Sequence, residues 1–86
     1  MIHSNIRSLF GRRVRELRRR SNLSQEEFAH VVGLDRSYVG GVERCERNIS
    51  LENIWLICQG LGLPLSTLFD FDVPQPTKAG NGKQRK

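Results

Sequence analysis

The apolar positions of the N-terminal segment have the spacing of an amphipathic helix. They fall at Ile6, Leu9, Phe10, Val14 and Leu17. Intervals of three and four residues place these side chains on one stripe of a helix, with the arginines between them on the other faces. The pattern predicts a first helix from Asn5 to Arg20.

Polar signals then mark a break in the chain and the start of a second helix. Ser24 is a suitable N-cap, and Glu27 three residues later completes a capping box. The predicted helix runs to about Val32 and is followed by Gly33, a residue suited to the left-handed conformation that ends many helices.

A third short helix is predicted from Arg36 to about Arg44, with Asp35 as its N-cap. Tyr38, Val39 and Val42 give it an apolar side. Because only a three-residue turn separates the second helix from the third, their axes must cross steeply, as in helix-turn-helix units.

The fourth predicted helix begins after Ser50 and continues through "LENIWLICQGLGL". Its predicted core-facing residues are Leu51, Ile54, Trp55, Cys58 and Leu61. Leu56 lies roughly 140° from the centre of that side and is expected to point away from the core. Pro64 begins a last short helical segment, at a position where its missing N–H does no harm.

These segments predict an all-α, five-helix domain over residues 1–71, followed by a flexible basic tail over residues 72–86. No apolar run approaches the ~20 residues that a membrane helix needs, so we expect no membrane contact. The N-terminus lacks the pattern of a secretory signal, and we therefore expect a cytoplasmic protein.

Charge is distributed unevenly along the chain. The net charge is +5, and the first 20 residues hold seven arginines against a single glutamate. The tail is also basic, whereas the segment between them carries an excess of acids. The basic segments suit a polyanionic partner such as nucleic acid.

The sequence offers little for catalysis or metal binding. His3 and His30 have no ligand partners nearby in sequence, and Cys45 and Cys58 form no CxxC pair. We therefore expect no metal, no cofactor and no enzymatic activity. Cys45, flanked by arginines, is a candidate for a redox-sensitive thiol.

The third helix carries the candidate chemistry for reading DNA, because the second helix of a DNA-binding helix-turn-helix lies in the major groove with its N-terminal residues at base edges. Arg36 suits guanine O6 and N7, Ser37 suits several bases, and Tyr38 suits a phosphate or a thymine methyl. Gly40 and Gly41 follow one turn later. We expect their missing side chains to let the helix backbone approach the bases.

The segment from Leu23 to Phe69 resembles the helix-turn-helix domain of the XRE family, which includes the phage lambda Cro and repressor proteins. The shared features are Gln25, the pair Phe28-Ala29, Gly33, the spacing Val39…Val42-Glu43, Asn48, Leu51 and the pair Leu68-Phe69. The resemblance implies a lambda-repressor-like fold, and it implies that Glu43 pairs internally with an arginine.

Within that family, "LDRSYVGGVERCERN" is similar to the controller proteins of restriction–modification systems, whose pattern is L-D-R-[ST]-Y-[IV]-S-G-[IV]-E-R-x-x-R-N. This similarity implies base-reading roles for Arg36, Ser37 and Tyr38, and a further DNA contact for Arg47. The chain departs from the pattern at Gly40, where a serine is usual.

Other side chains are candidates for phosphate or flanking DNA contacts. They are Gln25, Arg44, Arg47, Asn48, Arg12 and Arg13. Gln25 opens the second helix, where its side chain and the helix amides approach a phosphate together.

Apolar residues near the C-terminal end of the domain predict a homodimer, and XRE regulators generally dimerise through this region. The candidate interface is Leu56, Leu65, Leu68, Phe69 and Phe71. A two-fold dimer would place two third helices on a palindromic double-stranded operator. We therefore expect a sequence-specific transcriptional regulator that represses and autoregulates. Activation would require a surface for RNA polymerase, for which the acids from Glu43 to Glu52 are candidates.

Alternatives stay open at this stage. An antitoxin of a toxin–antitoxin pair would use the basic tail to hold its toxin, and a protein-interaction adaptor would keep the fold without reading DNA. RNA binding by the arginine-rich helix is disfavoured, because exposed aromatic side chains for stacking bases are lacking.

Overall fold

A computed structural model describes residues 2–72, with side chains from Ile6 onward. The helices are α1 (Ile2–Arg20), α2 (Gln25–Val32), α3 (Arg36–Glu43), α4 (Leu51–Leu61) and α5 (Leu65–Leu68). Residues 2–72 contain no strand, and the predicted all-α, five-helix fold is confirmed. Apart from Asp72, the predicted tail lies outside the described residues.

The turn between α2 and α3 forms through the local signals present in the sequence. Ser24 Oγ accepts from Glu27 N at 3.0 Å while Ser24 N donates to the Glu27 carboxylate at 2.8 Å, which is a complete capping box. Gly33 ends α2 with φ of 78°, in the left-handed region where glycine is favoured. Asp35 caps α3 by accepting from Ser37 N at 3.0 Å.

The core lies where α1 meets α3 and α5, and where α2 meets α3 and α4. Its buried apolar residues are Phe10, Val14, Leu17, Phe28, Ala29, Val32, Val39, Val42, Ile57, Cys58 and Leu68. Burial raises the pKa of the Cys58 thiol, which stays protonated at neutral pH.

The face that α4 turns to the core differs from the predicted one. Leu51 and Trp55, both predicted to face inward, have 75% and 52% of their surfaces exposed, whereas Ile57 is buried. Leu56, predicted to point away from the core, is half-buried. Ile57 and Cys58 are the buried residues of α4, and Ile54 and Leu61 pack against the core beside them as predicted, so the buried side of α4 is turned away from Leu51 and Trp55.

Candidate nucleic-acid interface

The first turn of α3 presents the predicted base-reading side chains. Arg36 and Ser37 are exposed, and Tyr38 is half-buried. Ser37 Oγ donates to the Asp35 carboxylate, and this bond, together with the one from Ser37 N, lowers the pKa of Asp35. The cap therefore contributes fully above the usual carboxyl pKa and is lost as the pH falls below it. The Ser37 oxygen remains an acceptor on the exposed side of α3.

A buried ion pair fixes the orientation of α3 relative to α1. The Arg18 guanidinium donates twice to the Glu43 carboxylate, at 2.7 Å and 2.9 Å, and also to the carbonyl of Leu23 at 2.8 Å. The hydrogen bond to Glu43 is the largest cause that raises the pKa of Arg18; burial opposes it, and the charge of Glu43 adds to it. The internal pairing expected for Glu43 is confirmed, and its partner is Arg18. Because Glu43 is buried in this pair, it is withdrawn from the acids proposed to face RNA polymerase.

Gln25 joins this network at the start of α2. Its Nε2 donates to Glu43 Oε1 at 3.0 Å. Since only the NH₂ group of an amide can donate to a carboxylate, the side-chain oxygen of Gln25 points the other way, toward Gly40. Arg18, Glu43 and Gln25 thus tie α1, α2 and α3 together behind the exposed face of α3.

Arginine side chains of this chain occupy the space over the two glycines of α3. This corrects the prediction that the backbone at Gly40 and Gly41 is left uncovered for DNA bases to approach. A Cβ built on Gly40 would lie 2.9 Å from Arg44 Nη1. A Cβ built on Gly41 would lie 2.9 Å from Arg47 Cγ. The Arg47 guanidinium carbon lies 5.1 Å from the ring centroid of Tyr38, within cation–π range. The two glycines therefore leave space for the side chains of Arg44 and Arg47, which lie against α3.

Of the predicted phosphate contacts, Gln25 is half-buried, four residues are exposed and one is buried. Arg12, Arg44, Arg47 and Asn48 are exposed. Arg13 is only 8% exposed, and its guanidinium donates twice to the carbonyl of Thr67, at 3.0 Å and 2.8 Å. The prediction for Arg13 was wrong, because its side chain is committed to holding α1 against α5.

The predicted dimer residues also divide by burial. Leu65 and Phe69 are each 42% exposed, and Phe71 is half-buried. Leu68 is fully buried in the core, so its side chain has no surface to offer a partner and its prediction was wrong. The Phe69 ring packs between two aromatic neighbours, with centroids 5.2 Å from Phe10 and 6.1 Å from Phe71.

Sequence reasoning missed Arg18 as the partner of Glu43, and it missed the exposure of Trp55. Arg18 follows the core residue Val14 by four positions, a spacing that places it on the core-facing stripe of α1. For Trp55 no signal was available, because α4 has apolar residues around most of its circumference.

The described residues contain no group of three or more His, Cys, Asp or Glu side chains placed to hold a metal ion. Cys45 is half-buried, with its sulfur 3.8 Å from the carbonyl oxygens of Ser8 and Glu43. None of the described helices combines the length and apolar character needed to cross a bilayer.

Comparison with known proteins gives matches over most of the chain. The helix-turn-helix family HTH_3 matches residues 14–68. The control protein C.BamHI of Bacillus amyloliquefaciens is 44% identical over 84 residues, which span 96% of this chain and 98% of that protein.

Two solved structures have the same arrangement of helices. The restriction–modification controller protein C.AhdI from Aeromonas hydrophila is 52% identical, with a TM-score of 0.71 over 73% of this chain and 96% of that one. The controller protein C.Esp1396I, solved as a tetramer in complex with its natural 35-base-pair operator, is 30% identical, with a TM-score of 0.70 over 74% of this chain and 84% of that one. The chain therefore belongs to the helix-turn-helix family HTH_3 and, within it, to the restriction–modification control proteins.

Proposed function

We propose that this protein is a sequence-specific transcriptional regulator of the restriction–modification controller type. It acts in the cytoplasm by binding a palindromic double-stranded operator as a homodimer, and it has no catalytic step. The observation that carries the proposal is the exposed first turn of α3, which presents Arg36 and Ser37. The side chains of Arg44 and Arg47 lie along the same helix, over Gly40 and Gly41. A buried ion pair behind this face holds it rigid.

Each exposed side chain has a role suited to its chemistry. Arg36 donates two parallel hydrogen bonds to a guanine, and Ser37 and Tyr38 contact neighbouring bases. Phosphate and flanking contacts come from Gln25, Arg44, Arg47, Asn48 and Arg12. Gly40 and Gly41 contribute by seating arginines rather than by touching bases. The acids left for a contact with RNA polymerase are Glu46 and Glu52, both exposed.

The homodimer is supported by the apolar surface of α5 and the residues beside it. Leu65 and Phe69 are exposed there, and Phe71 packs beside Phe69. Leu56 on α4, which is half-buried, is included in the proposed interface. A second copy that covers it would place two α3 helices about 34 Å apart, one turn of DNA. C.Esp1396I, a relative, binds its operator as a tetramer.

Selection of bound duplexes from a random pool, followed by footprinting, tests the proposed function. We expect a palindromic sequence with half-sites one helical turn apart. A pool without enrichment, combined with tight capture of a protein partner, would instead favour the adaptor. Capture of a toxin would favour the antitoxin.

Arg36→Ala is expected to relax specificity at one base pair of each half-site, at a cost of about 1–3 kcal/mol there, because the bidentate contact to guanine is lost. Binding to mixed-sequence DNA should stay nearly unchanged. Competition binding with single-base operator variants measures this. Equal weakening on all sequences would show that Arg36 contacts phosphate only.

Leu65→Glu is expected to weaken dimerisation at least about tenfold, because it places a charge on each side of the proposed two-fold interface. Sedimentation velocity over a range of concentrations measures the shift toward monomer. Val31→Glu is a matched control, since Val31 is 45% exposed on α2. An unchanged dimer in Leu65→Glu would contradict the proposed interface, and a wild-type chain that is monomeric at micromolar concentration on DNA would contradict the dimer itself.

A further inference from the structure

Gly40 lies at the point where α3 passes the start of α2, and one arginine fills the space above it. Arg44 follows Gly40 by one helical turn, and helical side chains lean toward the N-terminus of their own helix. Its guanidinium accordingly lies over Gly40, with Nη1 at 2.9 Å and Cζ at 3.8 Å from the position of a Cβ. A residue with a side chain would displace it.

The amide oxygen of Gln25 faces the same space. It lies 3.6 Å from the Cβ position of Gly40. The direction of this amide oxygen is fixed by hydrogen bonds, because Gln25 Nε2 donates to Glu43 and Glu43 accepts from Arg18. The amide oxygen of Gln25, held in a fixed direction, thus borders the space that the Arg44 guanidinium occupies.

Arg44 keeps donors available in this position. Its side chain is 59% exposed. Among the residues whose side chains are described, it forms one ion pair, from Nε to Glu46 Oε2 at 3.3 Å. A guanidinium has five N–H donors, so donors of this partly exposed group remain free to face solvent beside the middle of α3. These donors suit the phosphate oxygens that border a major groove occupied by α3.

We propose that Gly40 is a positioning residue for a DNA phosphate contact made by Arg44, an inference that rests on the proposed function. In the controller pattern a serine stands at this position. Here the serine's Cβ and hydroxyl are absent, and the guanidinium lies in their place, between the start of α2 and the middle of α3. The controller pattern also has an arginine at the position of Arg44, so what differs in this chain is the space at Gly40 that lets the guanidinium lie over α3.

The salt dependence of binding to a mixed-sequence duplex tests this proposal, because a phosphate contact does not require the operator. Each neutralised phosphate contributes about −0.9 to the slope of log affinity against log salt. We expect Arg44→Ala to reduce the steepness of that slope by about 0.9 for each protomer. Gly40→Ala should reduce it equally, although it leaves every charge in place. The double variant should show no further change.

Two controls separate this effect from general changes in charge or stability. Arg15→Ala removes one exposed positive charge from α1 and should retain the wild-type slope. Gly40→Ala should melt at the wild-type temperature or a few degrees above it, since the atom that must move is the end of a flexible side chain and alanine favours the helix.

A wild-type slope in Gly40→Ala would overturn the proposal, as would additive losses in the double variant or an equal loss in Arg15→Ala. These outcomes are distinct from failure of the proposed function. A wild-type chain that enriches no sequence from a random pool would contradict specific regulation, whereas the slopes on mixed-sequence DNA would still report on Gly40 and Arg44.

Discussion

Glu43→Ala is expected to lower the free energy of unfolding by about 3–5 kcal/mol, the largest loss we predict for a single substitution in this chain. The substitution removes both carboxylate acceptors of the Arg18 guanidinium, which keeps only the Leu23 carbonyl, and leaves a buried positive charge without its counterion. The two side chains are only 10% and 2% exposed, so water cannot replace the lost partner without opening the α1–α3 contact. Gln25 Nε2 loses its acceptor as well.

Urea unfolding followed by circular dichroism measures this loss. Small domains have total stabilities of about 5–15 kcal/mol, so this loss removes a large fraction of the total and should move the unfolding midpoint to a much lower urea concentration. Arg20→Ala is the matched control, because it breaks the exposed Arg20–Glu16 pair at 2.8 Å and should hardly move the unfolding midpoint. A Glu43→Ala variant within about 1 kcal/mol of the wild type would show that water reaches Arg18 and that the pair is not a structural anchor.

Helix positions could be predicted from the sequence because their signals are local. The capping box at Ser24 and Glu27, the left-handed Gly33 and the cap Asp35 each act within a few residues of themselves. No distant contact is needed to place these boundaries, and the turn between α2 and α3 formed where they predict it.

The orientation of α4 could not be predicted in the same way. Leu51, Ile54, Trp55, Leu56 and Ile57 surround most of the helix, so hydrophobic periodicity does not single out one face. The choice is made by contact with α2 and α5, which only the folded chain contains. The same contact leaves Trp55 exposed.

The arginines of α1 look alike in sequence, yet the fold separates them into two groups. Arg12 is exposed, whereas Arg13 and Arg18 point toward the core stripe and bond to Thr67 and Glu43. Charge alone predicts solvent-facing side chains, and it fails where an arginine finds a carbonyl or a carboxylate inside the fold.

The glycines of α3 were explained only in part from the sequence. Two glycines inside a helix indicate that space is needed beside it, but the sequence alone predicts DNA bases as the occupants of that space. The occupants are Arg44 and Arg47, which come from the end of α3 and the loop after it. A local pattern shows that space is needed, whereas the fold determines what fills it.

Gly11→Ala is expected to destabilise the domain by about 1–3 kcal/mol or more, although the same change favours a helix by roughly 1 kcal/mol in isolation. A Cβ on Gly11 would lie 2.4 Å from the backbone oxygen of Val42 and 3.2 Å from Cys45 Sγ. The first obstacle is backbone, so α1 must move away from α3.

The comparison with Gly40→Ala makes this prediction sharp, because both changes add one methyl group to a buried helical glycine. At Gly40 the obstructing atom is the flexible end of Arg44, and the expected effect on stability is neutral or favourable. Parallel urea titrations should therefore show a loss of stability for Gly11→Ala and no loss for Gly40→Ala, and equal stabilities would contradict the close approach of α1 to α3. Separation of the helices would also stretch the Arg18–Glu43 pair, which bridges the same contact. Gly11→Ala and Glu43→Ala combined should accordingly cost less than the sum of their separate effects.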